Sequence, residues 1–169
     1  MKKISRILAL VLVIALLPLL SSCGKDGTKS ADKNEKFKAK VYETDLLSVK
    51  VPKGWKVLSQ PEKPESAYVY KGKKDAYSSP SISITYFEPK TEMLSPKAMF
   101  EDAKDIEPVK IGKYTWEGFT AVSVGYPITV LSMKKPHQLQ VDIFNEVEDQ
   151  KISLKDDDVQ FIISSIKIK

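Results

Sequence analysis

The chain contains 169 residues, with 27 Lys or Arg against 22 Asp or Glu, a net charge of +5 at pH 7. Residues 1–22 hold three basic side chains and no acid, and residues 24–40 hold six lysines against three acids, so residues 41–169 carry about −1. A nucleic-acid-binding domain is expected to concentrate positive charge on its folded part. The charge distribution therefore argues against that class of protein.

The N-terminus has the pattern of a secretory signal. Lys2, Lys3 and Arg6 precede residues 7–20, fourteen residues without a charge, and this arrangement matches the basic and apolar regions of such signals. A membrane-spanning helix is the alternative. Fourteen residues at ~1.5 Å each cover only roughly 21 Å of an apolar bilayer core of roughly 30 Å, which favours a signal.

The apolar run ends at Leu20-Ser21-Ser22-Cys23, which contains the single cysteine of the chain. These residues resemble the lipobox of bacterial lipoprotein precursors. The resemblance implies cleavage of residues 1–22 between Ser22 and Cys23, and a diacylglyceryl thioether on Cys23, often with an N-acyl chain. An ordinary thiol is the alternative, although the polar sequence after Cys23 disfavours a core position. Two or three acyl chains anchor a protein stably, so we expect an extracytoplasmic protein held on the bacterial cell membrane.

Residues 23–40 are expected to form the lipidated tether. This segment contains one aromatic residue, Phe37, and shows no apolar periodicity. It therefore cannot bury enough surface to offset the entropy of ordering. The tether lysines either simply solvate the chain or add a weak attraction to anionic lipid. Residues 41–169 then suit a single domain, and with Cys23 acylated the domain has no internal disulfide.

The first half of this domain alternates apolar and polar residues, the pattern of half-buried strands. Strands are predicted at residues 47–51 and 55–58, separated by a break at Pro52 and Gly54. Two more, at residues 67–71 and 81–88, are predicted to form an antiparallel hairpin.

A helix is predicted next, beginning at Ser95, with Pro108 marking its end or the loop after it. Ser95 is a good N-cap, Pro96 suits the first helical position, and Met99, Phe100 and Ala103 form a short apolar stripe. A meander of four strands follows, in which Gly118 and Gly125 indicate a bulge or a close backbone approach. The predicted strands are 109–114, 117–126, 128–134 and 138–144.

The clearest helix lies at the C-terminus, because its apolar residues fall at i, i+3, i+4 and i+7. Ser153 and Asp156 have the spacing of a capping box. The three acids at 156–158 suggest either a metal or phosphate-mimic cluster or, more simply, first-turn acids that complement the helix dipole. The order of elements predicts an α+β fold on a mainly antiparallel sheet. The apolar residues are Val159, Ile162, Ile163 and Ile166.

Two segments carry a further pattern. Residues 47–55 (LSVKVPKGW) read strand, Pro, x, Gly, Trp, and residues 158–167 (DVQFIISSIK) read as a closing helix running into a short final strand. Both are similar to segments of the PsbP-like proteins, which share a fold with the Ran-binding Mog proteins. The resemblance would cover residues 41–169 and implies an α/β/α sandwich on a mainly antiparallel sheet. It carries over no function, because members of the family do unrelated things.

Motifs for chemistry are sparse. His137 is the only histidine, and alone it cannot form a zinc site. The glycines form neither a dinucleotide nor a phosphate-binding loop, and no serine stands in a nucleophile elbow. We therefore expect no metal and no cofactor, while a carboxylate pair for hydrolysis stays open among the 22 acids.

Aromatic residues concentrate in the strands and their connecting loops. Core packing explains most of them, and the remainder could line a groove for a peptide, glycan or lipid. Tyr77 and Trp116 are the first choices for such a groove, because they lie at or near predicted strand ends. The set is Tyr68, Tyr70, Tyr77, Tyr86, Phe87, Trp116, Phe119 and Tyr126.

These observations predict a membrane-anchored lipoprotein that is not an enzyme and that binds a protein or cell-envelope ligand. A hydrolase acting on envelope polymers is the alternative from another class, and a structural or assembly subunit is a third. A carboxylate pair with shifted pKa values in a deep cleft would favour the hydrolase, whereas a shallow aromatic groove would favour binding.

Overall fold

The computed structural model describes residues 37–72, 74–91 and 93–169. Cys23, the predicted signal and most of the predicted tether lie outside these ranges. Twelve strands, one 3-10 helix and one α-helix are found within them. They are β1 (Ala39–Glu43), β2 (Leu47–Pro52), β3 (Trp55–Leu58), β4 (Ser66–Lys71), β5 (Ser81–Phe87), the 3-10 helix (Pro96–Met99), β6 (Lys104–Ile111), β7 (Tyr114–Ser123), β8 (Tyr126–Met133), β9 (Gln138–Phe144), β10 (Glu146–Val147), β11 (Gln150–Lys151), α1 (Asp157–Ser164) and β12 (Lys167–Ile168).

The main element is a seven-stranded antiparallel sheet with the order β3-β4-β5-β9-β8-β7-β6. Apolar residues alternate along its strands, so one face collects side chains such as Ile84 and Val141, which pair across β5 and β9 and are fully buried. The predicted hairpin of residues 67–71 and 81–88 is confirmed as β4 and β5. The predicted meander is also confirmed, as β6 to β9. The predicted strand 109–114 is wrong in its bounds, because β6 starts at Lys104 and the chain turns at residues 112–113.

The inner face of this sheet is covered by α1 and by a three-stranded sheet with the order β1-β2-β12. Helix α1 confirms the C-terminal prediction, since Val159, Ile162 and Ile163 are all buried in the main core. The apolar side of β2, with Leu47 and Val49, packs into the same core. A single hydrophobic core therefore lies between the large sheet and this second layer.

Within the residues that the structure describes, the outer face of the sheet is not covered by an α-helix. The α-helix predicted to begin at Ser95 is therefore wrong. Ser95 does accept a hydrogen bond from the Lys97 N–H at 3.4 Å, but the helix is one 3-10 turn and Phe100 is already extended. Phe100 and Ala103 pack instead on a small outer cluster that includes Phe119. The chain crosses the outer face of the sheet here, from β5 to the edge strand β6. The packing of Phe100 and Ala103 on that face outweighs the local helix signals.

This difference limits how far the fold prediction is supported. The α+β class on a mainly antiparallel sheet holds, but the described residues contain one α-helix, on the inner face. The helical layer that an α/β/α sandwich would place on the outer face is not found in these ranges. A 3-10 turn and an irregular crossover occupy that position.

The two glycines singled out in the predicted strand 117–126 have separate roles. A Cβ on Gly118 would lie 2.4 Å from the Val130 carbonyl oxygen, so the expected close backbone approach is confirmed there. Gly125 lies instead in the turn between β7 and β8, with φ of 84°. The predicted strand 117–126 therefore ends at Ser123, and the chain reverses.

The fold begins slightly earlier than residue 41. Ala39 and Lys40 already pair with Pro52 and Val51 in β1 and β2. The Phe37 ring contacts Phe161 of α1, with centroids 4.8 Å apart. The last four residues of the predicted tether are thus part of this compact unit, which runs from Phe37 to Lys169. None of the helices in the described ranges has the length and apolar character needed to cross a membrane.

Candidate functional site

A cleft of about 730 Å³ lies where the two main sheets diverge. One wall is β1, the edge strand of the three-stranded sheet, and the other is β3, the edge strand of the seven-stranded sheet. Its volume falls within the range of small-molecule sites, which is roughly 300 to 1,000 Å³. The cleft is therefore the candidate functional site.

The turn between β2 and β3 creates the cleft by sending the chain from one sheet to the other. Pro52 ends β2, and Gly54 adopts a φ of 93° that side chains rarely tolerate. The Lys53 N–H donates a hydrogen bond to the Lys38 carbonyl oxygen at 3.0 Å. This bond brings the start of the fold and the turn side by side, so Lys38 and Lys53 share one rim.

The floor of the cleft is apolar. Val51 and Trp55 line it with only 7% of their surface exposed, whereas Val41 lines it with 58% exposed. Tyr42 and Val57 complete the floor while also packing against the core. A ligand that reaches the floor would therefore contact aliphatic and aromatic surface.

The rim of the cleft is basic. Lys38, Lys40, Lys53 and Lys56 are exposed, and they are the charged residues among those that line the cleft. The Lys56 ammonium also lies 5.7 Å from the centroid of the Tyr70 ring. An apolar floor bordered by four lysines matches a ligand that is anionic at one end and apolar at the other.

Trp55 is held in place by Asp158 of helix α1. Its indole Nε1 donates to Asp158 Oδ2 at 2.9 Å, and the same carboxylate oxygen lies 2.7 Å from Lys71 Nζ. Partial burial acts to raise the pKa of Asp158, but hydrogen bonds from Lys71 and Trp55 and the charge of Lys71 outweigh it and lower the pKa. Asp158 is therefore an ionised brace between α1, β3 and β4.

This brace explains part of the acidic run at 156–158. Asp156 Oδ2 accepts the Ser153 N–H at 3.0 Å, which is one half of the predicted capping box. The box is otherwise not formed, because Asp156 and not Ser153 is the N-cap of α1 and Ser153 Oγ accepts the Lys155 N–H instead. Asp157 stands in the first turn of α1. Across residues 37–72, 74–91 and 93–169, no group of three His, Cys, Asp or Glu is arranged to hold a metal ion. Asp156 and Asp157 thus stand at the start of α1, while Asp158 holds Trp55 in the wall of the cleft.

The structure separates the two aromatic residues proposed for ligand binding. Tyr77 is 78% exposed, in the loop between β4 and β5, so it stays a candidate. Trp116 is wrong as a surface residue, because it lies in β7 with 1% exposure and packs in the main core. Neither residue lines the cleft. A period-two pattern places Trp116 on one face of the sheet but does not say which face is covered.

His137 lies in the turn between β8 and β9, as expected. It lines a small depression of about 240 Å³ with Tyr86 and Lys134. Asp142, on the outer face of the sheet, has a pKa raised by burial and partly lowered again by the Gln140 amide. That amide donates to Asp142 at 2.9 Å. His137 thus lies in a turn and Asp142 in β9, and Asp142 does not line the depression beside His137.

The cleft itself is absent from the sequence-based prediction. In the sequence, the residues that form it show as a break, PKGW, and as lysines of the expected tether, and these patterns predict a turn and a spacer. The signal that could have indicated the site is Trp55, a large aromatic directly after a turn, with lysines at 53 and 56 beside it.

Comparisons with known proteins give little similarity. No family model and no curated protein matches this chain. Among solved structures, a crystal structure from Bacteroides thetaiotaomicron VPI-5482 at 1.50 Å resolution is similar, with a TM-score of 0.43 and 14% sequence identity. The similarity covers 78% of this chain but 48% of that one, so this chain spans about half the length of that protein. A likeness of this size assigns neither function nor substrate.

Proposed function

We propose that this protein is an extracytoplasmic lipoprotein, anchored through Cys23, whose cleft binds an anionic ligand with an apolar portion. The observation that carries the proposal is the rim of four lysines above a floor of Val51, Trp55 and neighbouring apolar residues. Charge-assisted hydrogen bonds to ammonium groups and burial of apolar surface are the two main sources of affinity in such a site. The ligand is a protein or cell-envelope component, and the role is non-catalytic.

We also propose that the domain is PsbP-like. The two segments that carry this resemblance, residues 47–55 and 158–167, are far apart in the chain, yet they meet through the hydrogen bond between Trp55 and Asp158. Such a contact gives both segments a shared structural role, which supports a common origin of the pattern. The single inner helix is the feature that fits the sandwich least well.

A hydrolase acting on envelope polymers is the alternative function. Its expected mark is a carboxylate pair in a cleft, but the charged residues lining this cleft are lysines. Asp158 lies behind the wall and is engaged with Trp55 and Lys71. Binding is therefore the function that the cleft chemistry supports best.

The test uses hexyl phosphate as a probe, because it has one anionic and one apolar end. We expect it to bind more tightly than inorganic phosphate, which lacks the chain, and than hexyl glucoside, which lacks the charge. Lys38→Glu with Lys53→Glu should weaken binding about tenfold or more, since a lost hydrogen bond to a charged group costs about 1.5–3 kcal/mol. Titration calorimetry provides the measurement.

The matched control reverses two exposed lysines that lie outside the cleft, Lys134→Glu with Lys135→Glu. Equal losses in the two double variants would mean that net charge, and not the cleft, controls binding. Equal affinity for all three probes would contradict the proposed ligand chemistry. Turnover of hexyl phosphate by the wild-type protein would favour the hydrolase.

A further inference from the structure

One end of the seven-stranded sheet carries several exposed apolar groups. The strand register aligns Trp55 with Lys71, Tyr70 with Ser81, and Ser81 with Phe144. The turn at residues 53–54, the loop at 72–80 and the turn between β7 and β8 therefore lie at the same end. We refer to it as the turn end; the opposite end carries the turn between β6 and β7.

The turn between β7 and β8 exposes aliphatic side chains. Ser123 and Tyr126 are paired, so Val124 and Gly125 form a two-residue turn. Val124 is 92% exposed, and its neighbours Val122 and Tyr126 are 49% and 39% exposed. These side chains gain little from packing within the fold.

Val124 is also conformationally unfavourable. Its φ is 52°, and positive φ is rare for β-branched residues, whereas this type of turn favours Asn-Gly. A strained, exposed valine stabilises neither the turn nor the core. Strained residues of this kind cluster at functional positions, which suggests that the side chain acts outside the fold.

A second apolar group stands at the same end. Tyr77 is 78% exposed, and its loop is ordered by Asp75, whose carboxylate accepts the N–H groups of Tyr77 and Ser78 at 2.9 and 3.0 Å. The ring is thus presented outward by a defined turn. Tyrosine is enriched at the interface between membrane and water because its ring is apolar and its hydroxyl is polar.

The chain also leaves the fold at this end. Ala39 pairs with Pro52, so Phe37 and Lys38 lie beside the turn at 53–54. Thirteen residues, 24–36, separate Phe37 from Cys23, and a chain of this length reaches at most roughly 45 Å. The turn between β7 and β8 is four to five strand spacings from β3, about 19 to 24 Å. A lipid anchor at Cys23 would therefore limit how far the turn end can move from the bilayer.

We propose that the turn end lies on the membrane surface, with Val124 and Tyr77 inserted into the lipid headgroup region. This inference rests on the lipid anchor of the proposed function and adds a second, reversible contact. Lys38 and Lys53 lie on the tether side of the same end. Because Glu101 and Asp102 precede β6 near the turn between β7 and β8, that turn contributes apolar insertion and not charge attraction.

The test places a spin label at the turn end of the full-length protein. Cys23 is the only native cysteine and is acylated in the anchored form, so Val124→Cys provides a single labelling site. Lys113→Cys, exposed in the turn between β6 and β7, provides the matched control at the opposite end. Both proteins are reconstituted in vesicles of phosphatidylcholine and phosphatidylglycerol in equal parts, and collisions of the label with oxygen and with a water-soluble nickel chelate are compared.

We expect the ratio of oxygen to nickel collisions to be several-fold higher at position 124 than at position 113, and a label at Tyr77→Cys to behave like that at 124. Equal aqueous values in protein that stays on the vesicles would overturn this inference and leave the anchor intact. Release of the protein from the vesicles would overturn the anchor and the inference together. Protection of position 124 in native membranes but not in lipid vesicles would assign the turn to a protein partner and also overturn the inference.

Discussion

Asp158 shows how one acidic residue can fix the orientation of a side chain that lines the cleft. Its carboxylate accepts from Trp55 and pairs with Lys71, whose ammonium also lies 5.7 Å from the Trp55 ring. Trp55 lines the cleft, so its orientation depends on a residue more than a hundred positions away in the chain. The sequence predicted these acids correctly as helix-start residues, but it could not show that one of them reaches across to β3 and β4.

The lowered pKa of Asp158 predicts a pH-dependent contribution to stability. A carboxyl whose folded-state pKa is depressed stabilises the fold above its unfolded pKa, near 3.9, and loses that contribution as pH falls through the folded-state pKa. Asp158→Asn should therefore reduce the free energy of unfolding by about 1 kcal/mol at pH 7, a value discounted because Lys71 is partly exposed. The deficit should shrink below about pH 4.

Urea unfolding of both proteins at neutral and acidic pH measures this difference. Asp45→Asn, at an exposed position, serves as the control and should have no comparable effect. A deficit that is the same at both pH values would contradict an ionised brace. Loss of hexyl phosphate binding in the Asp158 variant would further link the brace to the cleft.

The two tryptophans show the limit of prediction at the residue scale. Both follow turns in the sequence and both lie in strands, so pattern alone treats them alike. Trp116 sits beneath α1 in the main core, while Trp55 lies on an edge strand where the sheets diverge. The difference depends on which strands become edges, and that is a property of the assembled sheet.

Among the elements, the turn between β7 and β8 offers a test in which stability and function change in opposite directions. Val124→Asn relieves the left-handed strain that a β-branched residue carries, so the free energy of unfolding should rise by about 1 kcal/mol. The same change removes an apolar group, so the contact with lipid should weaken. Thermal unfolding and the collision ratio of a label at Tyr77→Cys measure the two effects.

Val122→Thr is the matched control for that experiment. It changes polarity in the same turn region but lies in the ordinary strand backbone of β7, so it should weaken lipid contact without raising stability. If Val124→Asn raised the melting temperature and left the lipid contact unchanged, the strained valine would have no role at the membrane.

The elements themselves were predictable where local pattern and tertiary packing agree. The alternating segments became β4, β5 and β9, and the i, i+3, i+4 pattern became α1. The helix prediction for the segment after β5 failed because Phe100 and Ala103 pack on the outer face of the sheet. That packing occurs in an irregular crossover and not on one face of a helix. Ser95 and Pro96 could start a turn there, but they could not extend it against that packing.

At the scale of the whole molecule, the cleft is the feature that the sequence could least predict. It exists because β1 pairs with β2 while β3 pairs with β4, so the break at Pro52 to Gly54 separates two sheets. Lys38 and Lys40 appeared to belong to a tether, whereas β1 and the contact of Phe37 with Phe161 bring them into the fold. Lys38 and Lys40 therefore lie at the rim of the cleft and not in a tether.

The anchor connects these features and provides the last prediction. If Cys23 is acylated, Cys23→Ala should leave an uncleaved precursor that no longer partitions into the detergent phase as a lipoprotein does, because no acyl chains are attached. Phase partitioning and the mobility of the precursor on gels measure both effects. Serine at position 22 is a useful comparison, since Ser22→Ala keeps a small residue before the cysteine and should preserve processing.

A shorter variant separates the anchor from the turn end. Apolar insertion by Val124 and Tyr77 alone is weak compared with two or three acyl chains, so a protein that lacks residues 1–23 should leave the vesicles although its cleft is intact. Binding of hexyl phosphate should therefore persist, because the lysine rim and the Trp55 floor lie within residues 37–169. Wild-type processing and detergent partitioning in Cys23→Ala would contradict the lipoprotein assignment, and with it the reason for placing the turn end against a membrane.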